Sequence, residues 1–487
     1  MDGGIAARDI TYVKGTAYWA DNLSRVYEYA LIDSFEKVSN DKKAYCAAFM
    51  TQYREQDAIS GATLVQPHGS GFVVVNSPAM PLSRNELDAV YDLPYTRLPH
   101  PSYTEHIPAL DEVRFSLVSC RGCYGQCAFC ALTFHQGRVI QSRSHESLIA
   151  EAKLMTKMPE FKGYIHDVGG PTANFRQPAC KKQLTKGVCK DRTCLGYSPC
   201  KNVEVSHTDY VELLRKLRRL DGVKRVFIRS GIRYDYLMYD KDETFFKELI
   251  KYHISGQLKV APEHIDDHVL EMMGKPGGEL YQRFVRRYKQ LNDALGMNQY
   301  IVPYFMSSHP GSTLNSAIAL AEYLKASGQR PEQVQDFYPT PGTLSTCMFY
   351  TGLDPRTMNP VYVPVSPEEK AMQRALMQFF IPKNRPLVRK ALRLADRDDL
   401  IGSGRNCLVP DVHQSPARSG GSSSATKSNH RSQYGATEHS AIKRKDARQN
   451  TRFGFPEQSR SIGQNSGVQG KKTVKTSDKR SGVKKHR

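Results

Sequence analysis

Along the middle of the chain, short apolar runs alternate with longer stretches whose apolar residues recur every three or four positions. The short runs at residues 113–119, 164–168, 226–229, 257–261, 300–305 and 334–338 read as strands. The longer stretches at 145–157, 210–220, 243–252, 280–295 and 314–326 read as helices, and in the first of them Leu148, Ile149, Ala152 and Leu154 share a face behind Ser144, an N-cap candidate. Such alternation implies parallel strands joined by right-handed crossovers, an α/β fold whose ligands collect at the carboxyl ends of the strands. Upstream, residues 61–93 read as a β-rich lead-in with a strand at Gly71–Val75, and Pro78, Pro81, Pro94 and Pro99 mark extended turns. Downstream, residues 368–380 and 387–394 read as helices, and neither a repeat nor a coiled-coil run interrupts the pattern.

Composition adds scale to this picture. A chain of 487 residues, 39% hydrophobic, has core material for two or three domains. Its apolar runs are far shorter than the roughly 18 residues of a membrane span, and the opening Met1-Asp2-Gly3-Gly4 lacks the charged-then-apolar order of a signal peptide, so a cytoplasmic location is expected. The net charge of +20 is uneven: residues 411–487 hold 17 Lys and Arg against 5 Asp and Glu, which accounts for +12. This segment has nine large apolar residues. Burying them all returns on the order of 20 kcal/mol, against about 1 to 2 kcal/mol of backbone entropy per residue, so the tail is expected to be disordered. It either solvates the protein or makes nonspecific nucleic-acid contacts through Lys443–Arg444–Lys445 and the basic C-terminus.

The candidate chemistry lies just after the first core strand, where Cys123, Cys127 and Cys130 stand in the run C-Y-G-Q-C-A-F-C. Three thiolates so closely spaced fit three corners of an iron-sulfur cube and leave one iron open to a small molecule. Two rival readings exist. An odd total of 11 cysteines suits a reducing compartment better than paired disulfides. With Cys120 added, zinc becomes a rival, but zinc ligand pairs are commonly a dozen or more residues apart, and only three residues separate the two pairs here. Cys120 is then a spare thiol.

At this point the chain resembles the radical S-adenosylmethionine superfamily, whose signature is C-x3-C-x-aromatic-C, with Phe129 as the aromatic. Longer stretches resemble its YgiQ branch of uncharacterised enzymes: R-G-C-Y-G-Q-C-A-F-C-A-L-T-F-H-Q-G-R from Arg121, G-Y-I-H-D-V-G-G-P-T-A-N-F from Gly163, V-P-Y-F-M-S-S-H-P-G-S-T from Val302 and Q-D-F-Y-P-T-P-G-T-L-S-T-C from Gln335. The resemblance spans residues 41–409, with the first 40 residues fitting it poorly. Longer family members carry a further N-terminal region, so this chain is expected to be a shortened form. The resemblance implies a partial (β/α)6 TIM-like barrel with N- and C-terminal extensions, divided as an extension at 1–111, a core at 112–345, a helical extension at 346–410 and the basic tail at 411–487. It also implies a [4Fe-4S] cluster on Cys123, Cys127 and Cys130 that reductively cleaves S-adenosylmethionine. The resulting 5′-deoxyadenosyl radical would abstract hydrogen from a substrate the sequence does not identify, with a one-electron reductant such as flavodoxin or ferredoxin as partner.

Further cofactor contacts follow from the same resemblance. Gly169 and Gly170 match a turn that holds the methionine amino group, with Pro171 replacing its usual acid. Ser230, beside Arg229 and Arg233, is a candidate for the ribose and carboxylate, and Glu263 for orienting cofactor or substrate; His264 is a candidate proton donor. The turns at 308–313 and 341–343 are expected around the cofactor mouth, with Ser312 or Thr313 capping a helix.

Between the second and third strands, an insertion at 175–205 carries Cys180, Cys189, Cys194 and Cys200 among several lysines. A second iron-sulfur cluster, a zinc ion or free thiols are all compatible with that spacing. Two other function classes stay open: a non-catalytic iron-sulfur or zinc protein that binds RNA, and a radical enzyme that methylthiolates or methylates RNA.

Overall fold

The computed structural model describes residues 4–6 and 9–411. The disorder expected of residues 411–487 therefore concerns, apart from Asp411, residues outside those described.

The chain opens with a four-stranded sheet of β1 (Ala17–Ala20), β2 (Tyr29–Leu31), β3 (Thr63–His68) and β4 (Gly71–Val75), in the order β1-β4-β3-β2. β4 begins and ends where its apolar pattern places it. The rest of the lead-in departs from expectation, because residues Arg84–Tyr91 form a helix rather than extended chain. A capping box starts that helix: Ser83 Oγ accepts from the Glu86 N–H at 3.3 Å, and Glu86 returns a carboxylate oxygen to the Ser83 N–H at 2.8 Å. The helix Lys42–Arg54 buries Cys46, Phe49, Met50 and Tyr53 against Leu344, Cys347 and Met348, and so brings the N-terminal region against the core.

The core is a succession of parallel strands. β5 (Ser116–Val118) pairs with β9 (Asp167–Gly169), and β8 (Tyr164–Ile165) pairs with β10 (Arg225–Val226). β11 (Gln257–Glu263) pairs with β12 (Tyr300–Ser307), which pairs with β13 (Gln335–Asp336). Every one of these pairings is parallel, and a short antiparallel ribbon of β6 (Cys120–Arg121) and β7 (Gln141–Ser142) closes the cysteine loop. Four of the five long helical patterns appear in place, and Ser144, Thr313 and Thr343 each cap a helix through the side-chain oxygen. The arrangement is α/β, as the alternation predicts.

Two corrections have physical causes. Residues 113–115 do not join the first strand: Pro108, pre-set for a first helical turn, starts a helix that runs to Val113. The helix expected at 243–252 is α-helical only over Thr244–Glu248 and widens to a π turn at Leu249–His253. The wider turn delivers buried His253 to the end of β10, where its Nδ1–H donates to the Val226 carbonyl at 2.7 Å.

The strands bury Leu117, Ile165, Val168, Val226, Leu258, Val260 and Phe305 against helix residues such as Leu148, Leu213, Leu217, Phe284 and Leu320. Each fully buried side chain of this kind contributes about 1.5 to 3 kcal/mol. Among the described residues no helix is long and apolar enough to cross a membrane.

Three histidines are locked into this interior in the neutral state. Burial pushes His253 and His264 down to about 4 and His309 to about 3. Each is depressed below its unfolded value, so the stability it contributes is complete above pH of about 6.5 and is lost as pH falls toward about 4. For His253 alone the loss reaches about 3 kcal/mol. Urea midpoints should therefore be flat from pH 7 to 8 and fall steadily from pH 6.5 to 4.5; a midpoint unchanged down to pH 5 would contradict this assignment.

Candidate functional site

The cysteine loop has little regular structure of its own, and neighbouring elements fix it. The Cys123 N–H donates to the Gly137 carbonyl at 3.0 Å, the Ala128 N–H to Met273 at 2.8 Å, and the Ser345 N–H to Ala128 at 2.9 Å. Gly122 takes a φ of +86°, with Val139 packed where a side chain would project. Gly274 ends the helix Asp267–Met273 in a left-handed turn, and a Cβ there would stand 3.1 Å from the Gln126 carbonyl. The loop thus rests on two helix ends and on the β6–β7 ribbon.

Cys123, Cys127 and Cys130 line one cavity of about 380 Å³ at the carboxyl ends of the strands, with Phe129, Pro171, Thr172, Arg233, Glu263 and Lys275 among its other walls. Burial raises the Cys123 thiol, and burial together with neighbouring Cys127 pushes Cys130 up to about 11. A cation is what would draw these thiols into the thiolate form, with release of protons. Gly125 keeps the space between them clear: a Cβ there would stand 2.8 Å from Arg233 Nη1 and 3.3 Å from Cys123 Sγ.

Arg233 is the charged centre of the site. It is buried, donates from Nη1 to Cys127 Sγ at 3.2 Å, and is gripped by Asp235 at 2.8 and 2.5 Å. Burial would raise the Asp235 carboxyl, but the guanidinium beside it prevails and holds it below the usual carboxylate range. Lys275 is also buried and lines the cavity, and it faces Glu263, whose carboxyl burial raises against the pull of Lys275 and Arg233. One acid, Glu263, and four cations, Arg229, Arg233, Lys259 and Lys275, therefore share the chamber with the three sulfurs.

The other candidates fall into two groups. Phe129 and Glu263 line the chamber, with Phe129 packed on Val269, Met273, Met306 and Phe337. Glu263 sits at a shift in the register between β11 and β12, with a φ of +69°, a strained position for a side chain. Gly169, Gly170 and Ser230 stand just behind the wall. A Cβ on Gly170 would meet Cys120 Sγ at 2.6 Å and the Cys120 carbonyl at 2.8 Å, and one on Gly169 would strike Ser230 and Asp167. Ser230 Oγ donates to Asp167, which also accepts the Arg229 and Ser230 N–H groups at 2.8 and 3.1 Å. The glycine pair is thus demanded by close packing, while Pro171 and Thr172 face the cavity.

Arg229 also lines the cavity and pairs with Glu112. His264 is neutral, and its Nδ1 accepts the Asp266 N–H at 3.0 Å. Cys120 is fully buried, its thiol pushed up to about 11 by burial, apart from the three cavity cysteines. Sequence reasoning missed Thr172, Asp235 and Lys275. Lys275 had a signal in the glycine- and proline-rich turn G-K-P-G-G at Gly274–Gly278, while Asp235 had none beyond its nearness to Arg233.

The four cysteines of the insertion also converge. Cys180, Cys189, Cys194 and Cys200 line a second cavity of about 180 Å³, and burial with the three neighbouring thiols pushes Cys194 up to about 12. Among the described residues no group of three or more His, Cys, Asp or Glu closes to the spacing of a single bound ion, at either cysteine set.

Parallel strands with a three-cysteine loop at their carboxyl ends define an α/β protein that sets three thiols on the wall of a chamber. Residues 117–324 match the model of the radical SAM superfamily, so the chain carries a radical SAM domain. Residues 1–116 match the model described as radical SAM N-terminal, which corrects the expectation that the first 40 residues fit poorly. Residues 332–480 match a domain of unknown function (DUF3362), which extends into the basic tail. The chain is 58% identical over 414 residues to a UPF0313 protein of Clostridium perfringens (strain 13 / Type A), covering 84% of this chain and 62% of the relative. It is 57% identical over 409 residues to one of Clostridium botulinum (strain Kyoto / Type A2), covering 84% and 63%. The chain thus spans under two thirds of the length of these relatives.

Among solved structures, it is similar to the radical S-adenosylmethionine methyltransferase TsrM from Kitasatospora setae with cobalamin and a [4Fe-4S] cluster bound, at 12% identity and a TM-score of 0.33, covering 68% of this chain and 71% of that one. A second TsrM structure, with tryptophan substrate and a SAM analogue, has 15% identity and a TM-score of 0.29, covering 46% and 35%. Neither overlap defines the fold of this chain.

Removing Asp235 leaves Arg233 buried without its counter-ion. Asp235→Ala should destabilise the fold by about 3 to 5 kcal/mol in urea unfolding, as for other broken buried pairs. A loss below about 1 kcal/mol would show that the pair carries little of the site's stability.

Proposed function

We propose that the chain is a radical SAM enzyme that holds a [4Fe-4S] cluster on Cys123, Cys127 and Cys130 and cleaves S-adenosylmethionine. The observation that supports this most directly is the shared chamber: three sulfurs stand on one wall, with no fourth cysteine lining it. When bound, the cluster supplies the electron that breaks a carbon-sulfur bond of the sulfonium, giving methionine and a 5′-deoxyadenosyl radical that takes hydrogen from a substrate.

The protein's own residues supply position and charge. Glu263 offers a carboxylate to an ammonium group, and Lys275 and Arg233 offer cations to a carboxylate, a complement to the zwitterionic methionine end of the cofactor. Arg233, fixed by Asp235, also places positive charge beside Cys127 and so favours its thiolate. Thr172 adds a hydroxyl 3.5 Å from Cys123 Sγ. Phe129 and the apolar residues packed on it help keep water from the sulfurs. In this reading the parallel strands form a partial (β/α)6 barrel, and the substrate lies over its mouth.

Anaerobic reconstitution followed by chemical reduction should give an electron paramagnetic resonance spectrum that changes when S-adenosylmethionine is added, together with 5′-deoxyadenosine as a product. Cys123→Ala, Cys127→Ala and Cys130→Ala should each abolish that product; full activity in any one would remove it from the ligand set. Lys275→Met should weaken S-adenosylmethionine binding about tenfold or more while leaving the iron content unchanged, as expected for the loss of one charged hydrogen bond. Unaltered affinity in a titration would take Lys275 out of the cofactor contact.

A further inference from the structure

We propose that Cys180, Cys189, Cys194 and Cys200 hold a second iron-sulfur cluster, one that carries electrons rather than substrate. All four line the same cavity, although up to twenty residues of chain separate them. Convergence of this kind is not a consequence of regular structure, since the insertion has only the short helix Lys182–Lys186. Backbone bonds fold the segment around the void: Cys200 N–H donates to the Cys194 carbonyl at 2.9 Å, and Gln183 N–H to Cys180 at 3.1 Å.

The surroundings suit thiolates. Lys182 Nζ donates to Cys189 Sγ at 3.4 Å, Gln183 Nε2 to Cys194 Sγ at 3.6 Å, and Arg192 lines the same cavity. Buried Arg138 ties the segment to the N-terminal region, donating to the Cys189 carbonyl at 3.4 Å and to the Tyr53 carbonyl at 3.1 Å. Cations and amide donors around clustered sulfurs offset the negative charge that four thiolates bring.

Size favours a cluster over zinc. A single zinc ion holds its thiolates at about 2.3 Å and leaves no void among them. The cavity here is about 180 Å³, more than ten times the roughly 15 Å³ that a single water needs.

The placement points to electron transfer. With four cysteines no iron is left open to a ligand, which is the arrangement of a cluster that stores and passes electrons. One aromatic layer, Tyr124 stacked on Phe175 at 4.0 Å with Tyr236 across them, packs against both Cys194 and Cys123. The two cysteine sets thus meet one apolar cluster, Cys123 from the first and Cys194 from the second. A one-electron reductant of the ferredoxin or flavodoxin class would reduce the second cluster by one electron; passing that electron on returns it to the oxidised state, with no bond made or broken.

The role as relay rests on the function proposed above, whereas the site itself does not. Anaerobic reconstitution of the full chain with iron and sulfide should yield about eight iron atoms and eight acid-labile sulfides, four for each cube. The combined Cys123→Ala, Cys127→Ala, Cys130→Ala variant should keep about four of each, with a paramagnetic signal on reduction that S-adenosylmethionine does not alter. The Cys194→Ala, Cys200→Ala variant should also keep about four, with the signal that does respond. About four irons in the unaltered chain, all lost in the triple variant, would overturn the proposal and leave the first site standing, as would zinc without sulfide in the triple variant. Should either variant fail to fold by circular dichroism, the iron count of the unaltered chain still decides. Eight irons with no 5′-deoxyadenosine would defeat the function proposed above and not this site.

Discussion

The buried pair of Arg233 and Asp235 is the interaction on which the site depends. A guanidinium taken out of water costs several kcal/mol unless a counter-charge meets it, and here a carboxylate two residues along does so with two hydrogen bonds. The pair turns the end of one strand unit into a fixed positive charge against the sulfur of Cys127. Asn174 holds the same residue by its backbone, with its side-chain oxygen accepting the Arg233 N–H at 2.9 Å. The second and third strand ends are thereby tied together at the place where the cysteine loop needs a neighbour.

From that constraint the rest of the chamber follows. Gly125 lacks a side chain because Arg233 and Cys123 occupy the space one would need. Gly170 lacks one because Cys120 lies against it, so the turn after β9 can bring Thr172 toward Cys123. Asp167 spends its carboxylate on the Arg229–Ser230 turn, which presents the following residues to the cavity. Residues that carry no chemistry of their own thus set the distances at which the cysteines, Glu263 and Lys275 face one another. The N-terminal region contributes as well, because Tyr53 packs on Phe134 just beyond the cysteine loop and lies under Arg138.

Much of this was legible in the sequence. The strand-helix order, the helix caps at Ser144 and Thr313, and the compact cysteine triplet are local signals, since periodicity, capping and ligand spacing are each set within a few residues. The π turn before His253 was not legible, because nothing in residues 243–252 distinguishes it from a plain helix; the Val226 carbonyl that His253 meets is distant in the chain. The helix at Arg84–Tyr91 could have been read from its capping box but was masked by the prolines on either side.

The sequence by itself determined the α/β class and the three cysteines that carry the candidate chemistry, because those depend on period and spacing along one segment. Only the tertiary structure decided that Arg233 turns to the sulfurs while Arg229 pairs with Glu112, that Lys275 faces Glu263, and that four scattered cysteines of the insertion line one cavity. Those outcomes come from contacts between residues far apart in the chain, where burial and the pairing of charges select one arrangement among the many that local propensity allows.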